Sequence, residues 1–553
     1  MEKEYNPNFI IGSKCVVGNV KLDEEDVVTQ VTGMMVVQTD YNIPPDKGII
    51  IARQYPYGVM EFSKAREIAE MGYKNALPYI AVIKNKVTRE RTQAQIDSLR
   101  QNFMAKCKPI RFKESINISN NMDNGEKSFI SRTIRNDKEG TFSFDTFKRG
   151  YYRVIATNTV KTFYPSAELD SDTLSTLKLK VTKASPFSIA IGGNISSSSL
   201  NQGYLGLEYK SLGLKPWRVS GDLNIGKFYK GGGLKIRQDI GIRPLTFYSV
   251  DLVAHQFDYY GGNQDLFTPD KLPNNIQERE LYLKLSLASA VSLKKNIVAK
   301  FSIGAARLSY RYFYNEVYNA KDDPNRTNID IIYPELSFER NSQNYSIYAT
   351  EGWKGFLGIR FIYGKENFKP GSRHRMSDLG AIDTENKASH RSIYCRFFTE
   401  SYYRIAKWFH LGYLVDLTFS STRGGVDYTT AMLYMPAFQP IPHSSSLMME
   451  SYRANTYAGA AVSPILFFTK TLFLHTTFSY FQPLEQIVNL GSGKYEYTQL
   501  FPQGGFIGNA ALVWQSPIGP VSLSASYYAK GDYKQWYPQL NIGFLLFKKR
   551  ALY

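Results

Sequence analysis

The sequence predicts a mainly β protein: a 16-stranded transmembrane β-barrel preceded by one small α+β domain and a partial α/β segment. Aromatic residues make up 14 % of the 553 residues, although the mean hydropathy is only −0.31. The chain therefore has ample apolar surface to bury and is not disordered. Its longest weakly polar stretch, 457–468, is shorter than the roughly 20 residues of a membrane-spanning helix. From Pro186 onward, apolar and polar residues alternate almost throughout.

The first part of the chain, residues 1–83, has an α/β pattern. Two apolar runs, 9–12 and 48–52, predict buried strands, since parallel strands are covered on both faces and do not alternate. Apolar positions at helical spacing predict a helix over 62–83, with Pro78 as a late interruption.

A polar helix is predicted over 88–104, inside a helical connector that spans 84–108. The next part, 109–183, contains shorter units in the order β-α-α-β-β, which is enough for one compact domain. Its predicted elements are a strand at 110–118, a turn at 120–127, a helix at 127–135, a helix-like stretch to Ala156, and strands at 162–169 and 173–181.

Residues 184–553 are predicted to form the barrel. In 521–528, Val521, Leu523, Ala525 and Tyr527 lie on one face, and the three serines and Tyr528 lie on the other. Segments of about ten residues with this alternation are typical of outer-membrane barrels, although a soluble β-sandwich would also alternate. The sixteen predicted strands are 187–196, 203–212, 217–228, 233–243, 245–259, 276–290, 296–313, 331–340, 345–363, 390–403, 408–421, 456–468, 472–481, 506–514, 521–529 and 536–547.

Long polar insertions alternate with tight turns between these strands. Long loops are expected to face outward and short turns inward. The glycine-rich run 229–234 lacks the spacing of a phosphate-binding loop and is predicted to be a turn. The long insertions are 315–330, 365–389, 422–454 and 486–504, and the tight turns include 213–216 and 516–520.

Charge and composition argue against several classes of site. The net charge of +18 is spread along the chain rather than concentrated in one stripe, so no nucleic-acid binding is expected. The three cysteines, Cys15, Cys107 and Cys395, are too far apart for a disulfide framework or a zinc cluster. The six histidines are equally dispersed, so no metal site and no cofactor are predicted.

Three stretches resemble known families. NPNFIIGSKCVVGNV, together with GIIIARQYPYGVMEFSKAREIAEMGY, resembles the last third of a patatin-like phospholipase domain. FKESINISNNMDNGEKSFISRTI with GTFSFDTFKRGYYRVIAT resembles one POTRA domain, and the rest resembles a barrel of the BamA/TamA superfamily. The resemblance implies a bacterial outer-membrane barrel with its N-terminal domains in the periplasm.

The catalytic residues of the patatin family are not found in the sequence. That family uses a serine in a Gly-x-Ser-x-Gly elbow and an aspartate in an Asp-Gly-Gly/Ala turn, and neither pattern occurs here. The resemblance begins just after the expected aspartate, and no secretory signal is visible at the start of the chain. Ser13 follows a strand directly and is interpreted as structural. No catalytic residue is therefore proposed, and an acyl-ester hydrolase is expected only if the missing part is present.

The resemblance to the barrel family also implies two candidate sites. That family carries an Arg-Gly-Phe/Tyr tip on a long loop that folds back into the lumen. Here Arg453, preceded by Tyr452, stands in the place of the arginine, but Ala454 replaces the glycine. The final strand resembles a terminal insertion signal, with Gly543 and Phe547 as its recognisable parts, although KKRALY continues beyond it.

These features favour an outer-membrane protein that handles lipid or protein. The first alternative is the barrel-anchored part of a patatin-like phospholipase whose catalytic Ser and Asp lie upstream or on another chain. The second alternative is a passive pore. The expected partners are outer-membrane lipids, the barrel-assembly machinery during biogenesis, and a second copy or the missing patatin half.

Overall fold

The computed structural model divides the chain into two units, 1–108 and 109–553. It describes residues 7–17, 43–55, 62–86, 91–106, 110–119, 121–136, 140–171, 174–198, 200–242, 245–259, 276–292, 296–313, 322–372, 386–491, 493–530 and 535–552.

The first unit contains two strands, β1 (Ile10–Val17) and β2 (Gly48–Tyr55), which pair in parallel along their whole lengths. They are more exposed than predicted, since the side chain of Ile11 is 50 % exposed. The described residues place these strands in a two-stranded sheet, and so small a sheet leaves part of its apolar surface uncovered.

The helices of the first unit follow β2. A 3-10 turn (Phe62–Lys64) leads into α1 (Ala65–Ala76), and a second 3-10 turn (Leu77–Tyr79) separates α1 from α2 (Ile80–Lys86). Pro78 lies in that second turn, where the sequence predicts an interruption. The connector helix is α3 (Gln93–Lys106), and none of its residues is buried.

The second unit begins with a four-stranded sheet in the order β4-β3-β6-β5, in which β3 and β6 are parallel. Asp123 caps the first helix of this sheet domain: its carboxylate accepts a hydrogen bond from the backbone N–H of Glu126 at 2.8 Å. The elements follow the predicted order, with a short strand added. They are β3 (Arg111–Ile118), α4 (Asn124–Arg135), β4 (Phe142–Ser143), α5 (Phe144–Ala156), β5 (Val160–Leu169) and β6 (Leu174–Lys183).

Sixteen antiparallel strands then close into a barrel, as the sequence predicts. They are β7 (Phe187–Ser196), β8 (Gln202–Ser211), β9 (Trp217–Gly226), β10 (Tyr229–Ile242), β11 (Leu245–Tyr259), β12 (Ile276–Ser292), β13 (Ile297–Tyr312), β14 (Asn325–Asn341), β15 (Gly352–Lys369), β16 (Asn386–Arg404), β17 (Phe409–Ser420), β18 (Tyr457–Phe467), β19 (Leu472–Pro483), β22 (Gly505–Ser516), β23 (Gly519–Tyr528) and β24 (Trp536–Gly543). A hairpin of β20 (Ile487–Gly491) and β21 (Lys494–Tyr497) lies in the connection between β19 and β22.

The predicted facing of the strands is confirmed in β23. Leu523 is 59 % exposed on the outside, whereas Ser522, Ser524 and Ser526 are buried on the inside. The longest connections between barrel strands, 260–275, 370–385, 421–456 and 484–504, all lie at one end of the barrel, called here the loop end, and the opposite end is called the turn end. No helix among the described residues is long and apolar enough to cross a membrane.

Several predicted boundaries are wrong. The glycine-rich run 229–234 is strand, since β10 begins at Tyr229. A Cβ at Gly233 would lie 2.7 Å from Nζ of Lys548. The glycines are therefore present because neighbouring side chains need the space, and not because the chain turns there. The insertions predicted at 315–330 and 365–389 are shorter, because β14, β15 and β16 extend into them. The last strand ends at Gly543 instead of 547.

Candidate functional site in the barrel lumen and seam

The connection between β17 and β18, residues 421–456, folds into the barrel and is called here the lumen loop. Its helix α6 (Tyr428–Tyr434) consists entirely of buried residues. The carboxylate of Asp427 caps this helix by accepting a hydrogen bond from the backbone N–H of Thr430 at 2.7 Å. The hydroxyl of Tyr312, on the barrel wall, also contacts Asp427 and Thr430. The wall therefore holds the lumen loop by a buried polar network.

The two residues predicted for this loop, Arg453 and Tyr452, both lie inside the barrel. Arg453 is 2 % exposed, and its guanidinium donates a hydrogen bond from Nη1 to the carbonyl oxygen of Met435 at 2.9 Å. It also interacts electrostatically with the carboxylate of Glu278 on β12. The hydroxyl of Tyr452 donates to the carbonyl oxygen of Phe506 at 2.8 Å.

Glu208, which the sequence offers as a partner for Arg453, has other partners. Its carboxylate lies 2.9 Å from Nζ of Lys210 and 3.1 Å from Nε of Arg218. Glu208 stands near the turn end of β8, whereas the lumen loop enters from the loop end. This difference in height along the barrel is why the expected pair does not form.

The base of the lumen loop is held by the hairpin β20–β21. The backbone N–H of Gly425 donates to the hydroxyl of Tyr495 at 2.9 Å, and that of Gly424 donates to the hydroxyl of Tyr497 at 3.1 Å.

Farther along the loop, burial lowers the pKa of His443 to about 3, so its imidazole is neutral at physiological pH. Nδ1 of His443 lies 3.0 Å from the hydroxyl of Tyr528 on the wall.

The barrel has a weak seam where its last strand meets its first. Eight residue pairs join β7 to β8, but only three join β7 to β24, at Asn194, Ile195 and Ser196. Among the described residues, no strand pairs with Phe187 to Gly192 on the seam side, and the side chain of Ile191 is 83 % exposed. The first strand therefore presents a free edge at the turn end.

The hydrogen-bonding groups on this edge can be assigned from two contacts. The backbone N–H of Phe544 donates to the carbonyl oxygen of Gly193, and the backbone N–H of Lys210, just beyond Tyr209 on β8, donates to the carbonyl oxygen of Pro186. Successive residues of a strand point their backbone groups to opposite neighbours. The backbone N–H and C=O groups of Phe187, Ile189 and Ile191 therefore point into the seam, where the carbonyl oxygen of Phe187 accepts a hydrogen bond from the hydroxyl of Ser185 at 2.9 Å.

After Gly543 the chain leaves the wall and enters the lumen as a segment, 544–552, called here the inner segment. Gly543 has a φ of 102° and so turns the chain in a conformation that favours glycine. The side-chain amide of Gln202 pairs with the backbone of Leu546 in both directions, at 2.8 and 3.0 Å. The ring of Phe547 packs 5.0 Å from that of Tyr229, so this predicted signal residue lies in the lumen.

The outer surface of the barrel carries a wide apolar belt, and the lumen side carries the polar residues. Representative outward side chains are Leu283 (44 % exposed), Phe301 (51 %) and Phe361 (51 %). In water such a belt would remain exposed, but against lipid chains it is the stable arrangement. Closure of the barrel also leaves few backbone N–H and C=O groups at strand edges without a hydrogen-bond partner in the membrane.

No protein-family model matches this sequence, and no curated protein matches it. Among solved structures, BamA from Haemophilus ducreyi lacking POTRA domains 1–3 is similar, with a TM-score of 0.53 and 12 % identity over 78 % of this chain and 84 % of that chain. The protein is a bacterial outer-membrane β-barrel. CdiB from Acinetobacter baumannii gives a TM-score of 0.45 at 8 % identity, over 89 % of this chain and 88 % of that chain. CdiB from Escherichia coli gives 0.44 at 11 % identity, over 79 % and 77 %.

The inner segment is the part of the site that sequence reasoning missed. Its basic run, Lys548 to Arg550, follows an apolar strand, and the sequence alone indicates only an extension beyond a terminal signal. Two other features of the sequence match this basic run: the glycine run of β10, which leaves space, and the inward carboxylates Glu278 and Glu280 on β12, which carry the opposite charge. The link becomes visible only in the fold, which brings the inner segment next to β10 and β12, 319 residues from Tyr229 to Lys548 and 272 residues from Glu278 to Arg550.

Proposed function

We propose that this protein handles β-strand polypeptides at the outer membrane, with the free edge of β7 as the acceptor for an incoming strand. The observation that carries this proposal is the asymmetry of β7, which has eight residue pairs on one side and three on the other. A client strand would pair with Phe187, Ile189 and Ile191 and pass into the membrane through the seam.

The physical basis is the cost of unpaired backbone groups. A free strand edge is a template for another strand in any environment. Next to lipid the drive to pair is stronger, since no water is present to satisfy the N–H and C=O groups. The side chains of Ile189 (68 % exposed) and Ile191 (83 % exposed) would add apolar contact with a client strand of alternating pattern.

Two further features support this proposal. The fold is that of the barrel of BamA, as the similarity to the Haemophilus ducreyi structure indicates. The sheet domain of residues 110–183 stands directly before β7, and we propose that it is a POTRA domain in the periplasm, at the turn end of the barrel. A passive pore is less favoured, because the lumen loop and the inner segment both lie in the lumen.

A second candidate is a role in lipid handling as the anchored part of a patatin-like phospholipase. The parallel pairing of β1 and β2, followed by α1, favours this candidate because patatin-like domains are α/β structures. Segment 1–83 would then complete its sheet with another segment or chain. This candidate concerns the first unit, whereas strand acceptance concerns the barrel, so the two can be tested separately.

The test of strand acceptance uses proline to remove N–H groups from the edge. Ile191→Pro and Ile189→Pro each delete a donor that points into the seam, without deleting a bond to β8. The full chain is reconstituted in liposomes, and a urea-denatured eight-stranded outer-membrane barrel is added. Its folding is followed by the heat-modifiable band on gels. We expect wild type to accelerate folding and the double proline variant to lose at least about nine-tenths of that acceleration.

The matched control is the pair Ile191→Ala and Ile189→Ala, which removes the same side chains but keeps both N–H groups. These alanine variants should retain most of the acceleration, because the backbone supplies the hydrogen bonds. Equal acceleration by wild type and the double proline variant would refute strand acceptance at this edge. Equal loss in the alanine and proline variants would also refute it in favour of simple apolar contact.

A further inference from the structure

The outer surface of the barrel carries exposed basic side chains where β12 to β16 reach the loop end, called here the basic patch. Among the described outward side chains of these five strands, Asp330 is the one acid, and Arg307 binds it through two hydrogen bonds of 2.7 and 3.0 Å. The patch therefore keeps a large positive charge. Its members are Arg279 on β12, Arg307 and Arg311 on β13, Arg326 on β14, Lys365 and Lys369 on β15, and Lys387 and Arg391 on β16.

The strand register brings three of these arginines together. Arg311 is directly opposite Arg326 on the neighbouring strand. On the other side, Arg279 is opposite Ser309, which is two residues before Arg311. Side chains on one face of a sheet stand about 4.5–5.5 Å apart at Cβ in the first relationship, and about 7–8 Å in the second. Arg311 is accordingly repelled by the charges of both Arg279 and Arg326.

This repulsion is not offset within the described part of the chain. Among the residues that the structure describes, no carboxylate forms an ion pair with any of the three arginines. Asp258, on the neighbouring β11, accepts hydrogen bonds from the side-chain amides of Gln256 and Gln277, each at 2.8 Å. Like charges directly opposite each other on a sheet are destabilising. An anion from outside the described chain would relieve this repulsion.

Apolar side chains begin directly below the basic patch, toward the middle of the barrel wall. Leu281 and Leu283 follow Arg279 along the outside of β12, and Ile303 on β13 and Ile332 on β14 continue the apolar belt; all four are exposed. A ligand that fits both surfaces has an anionic head and acyl chains. This is the chemistry of a membrane lipid, whereas free phosphate or a soluble acidic protein would leave the apolar surface unused.

The width of the patch indicates the kind of headgroup. Five neighbouring strands spaced about 4.8 Å apart cover about 19 Å from the first to the last. Guanidinium groups bind phosphate oxygens in a fork, so the three clustered arginines suit one phosphate. On the other side of the patch, Lys365 is opposite Ser389, two residues from Lys387, and these two lysines are placed for a second phosphate.

We propose that the basic patch binds a membrane lipid with two phosphate groups, whose acyl chains lie against the apolar belt below it. The proposal rests on the proposed function for one point, the orientation with the turn end in the periplasm, which assigns this lipid to the outer leaflet. In the order of the barrel, β12 to β16 are the sixth to the tenth strands, far from the seam. A lipid held there leaves the edge of β7 free and fixes the height of the opposite wall in the membrane.

The test measures lipid binding to the full chain, purified in detergent, by native mass spectrometry. The probe is lipid A, an acylated disaccharide with two phosphates. It is compared with the same lipid after removal of both phosphates and with phosphatidylglycerol, which has one. We expect the doubly phosphorylated lipid to bind at least about tenfold more tightly than the dephosphorylated form, with phosphatidylglycerol between them.

The variant that removes the cluster changes Arg279, Arg311 and Arg326 to glutamine. It should bind lipid A at least about tenfold more weakly than wild type, because three basic groups at the membrane surface are lost. The matched control removes the same number of charges from exposed positions on the sheet domain and should bind lipid A as wild type does. Its changes are Lys148→Gln, Arg149→Gln and Lys161→Gln.

Folding of each variant is checked by its heat-modifiable migration, and only folded protein is scored. Equal binding of lipid A by wild type and the triple arginine variant would overturn the proposal. An equal loss in the control would overturn it too, since binding would then follow net charge alone. If the triple variant does not fold, Arg311→Gln decides the question, with an expected weakening of about fivefold.

The lipid comparison gives two further ways to refute the site. Equal binding of lipid A with and without its phosphates would reduce it to apolar contact. Equal binding of lipid A and phosphatidylglycerol would exclude a site for two phosphates. The assay contains no client strand and does not depend on the orientation of the barrel, so this proposal and strand acceptance at β7 can fail separately.

Discussion

Gly543 lies so close to Gly193 that a Cβ atom at position 543 would stand 2.2 Å from the carbonyl oxygen of Gly193. Position 543 is where the last strand leaves the barrel wall, and its φ of 102° is in a region that L side chains rarely adopt. Steric room and backbone conformation therefore both require glycine at the seam.

Gly543→Ala is expected to weaken the seam. The strained backbone alone should cost about 1–3 kcal/mol, and the close contact with Gly193 adds to it. The midpoint of thermal unfolding, followed by the heat-modifiable band, should fall. Gly203→Ala on β8 is the control, because a Cβ there would lie 3.8 Å from the carbonyl oxygen of Ile225, which is an ordinary van der Waals distance. Equal midpoints for the two variants would contradict the steric argument.

Leu523→Arg should impair insertion of the barrel. Leu523 faces lipid at 59 % exposure, and a charge near the middle of the membrane costs roughly 2–4 kcal/mol. Ser524→Thr, on the lumen side of the same strand, should be nearly silent, since the polar group is kept. The yield of folded protein in outer membranes measures both effects. If the two variants assembled equally well, the facing of β23 would have to be reversed.

Arg453→Ala should loosen the lumen loop. The change leaves the carbonyl oxygen of Met435 and the buried carboxylate of Glu278 with less compensation, at a cost of at least about 2 kcal/mol. Arg423→Ala in the same loop removes a pair with Glu485 in which the arginine is 71 % exposed, so it should cost less than about 1 kcal/mol. Limited proteolysis of the loop compares the two. Equal protease sensitivity would argue against a special role for Arg453.

Acidification should destabilise the lumen loop through His443. Burial lowers the pKa of His443 to about 3 from its ordinary value of 6.5. The stability that comes from the neutral imidazole is therefore complete above pH 6.5 and is lost as the pH falls toward 3, at up to about 1.4 kcal/mol per pH unit. Urea unfolding at pH 7.5 and 4.5 measures the loss. His443→Gln should show a smaller difference between these pH values, and an equal difference would rule out this residue as the cause.

The chain by itself should not hydrolyse esters. Ser13 lies within the regular strand β1, opposite Ile51, and not at a strand-to-helix turn such as exposes a nucleophile. Purified protein in detergent, given a short-chain ester or a phospholipid, should turn it over no faster than a Ser13→Ala variant. Turnover that Ser13→Ala abolishes would make this serine an unorthodox nucleophile.

Most of the barrel could be predicted because its signal is local. Each strand must present apolar residues to lipid and polar or small residues to the lumen, so residues 521–528 reveal their facing without knowledge of their neighbours. The sequence predicts a turn at Gly231 to Gly233, where the structure has a strand, because the neighbours that require glycine there are not visible in the local sequence. A Cβ at Gly231 would lie 2.7 Å from the hydroxyl oxygen of Tyr229, and a Cβ at Gly233 would lie 2.7 Å from Nζ of Lys548, more than 300 residues away.

The candidate site was predictable only in part. The sequence drew attention to Arg453, and the structure supplies its partners, which are carbonyl oxygens of its own loop and Glu278 rather than Glu208. Residues 544–547 are all apolar, so the sequence extends the predicted strand to Phe547. Its actual place depends on Gly543, whose positive φ turns the chain away from the wall, and on carboxylates of β12.

The sheet domain that precedes the barrel is not joined to it by a free tether. Leu212, in the turn between β8 and β9, is buried in the core of that domain, and Arg218 on β9 donates to the carbonyl oxygen of Thr157 at 3.0 Å. These contacts restrict how far the domain can swing. A polypeptide bound to the domain would therefore sample a small volume close to β7, and its effective concentration at the seam would be far higher than its concentration in the surrounding solution.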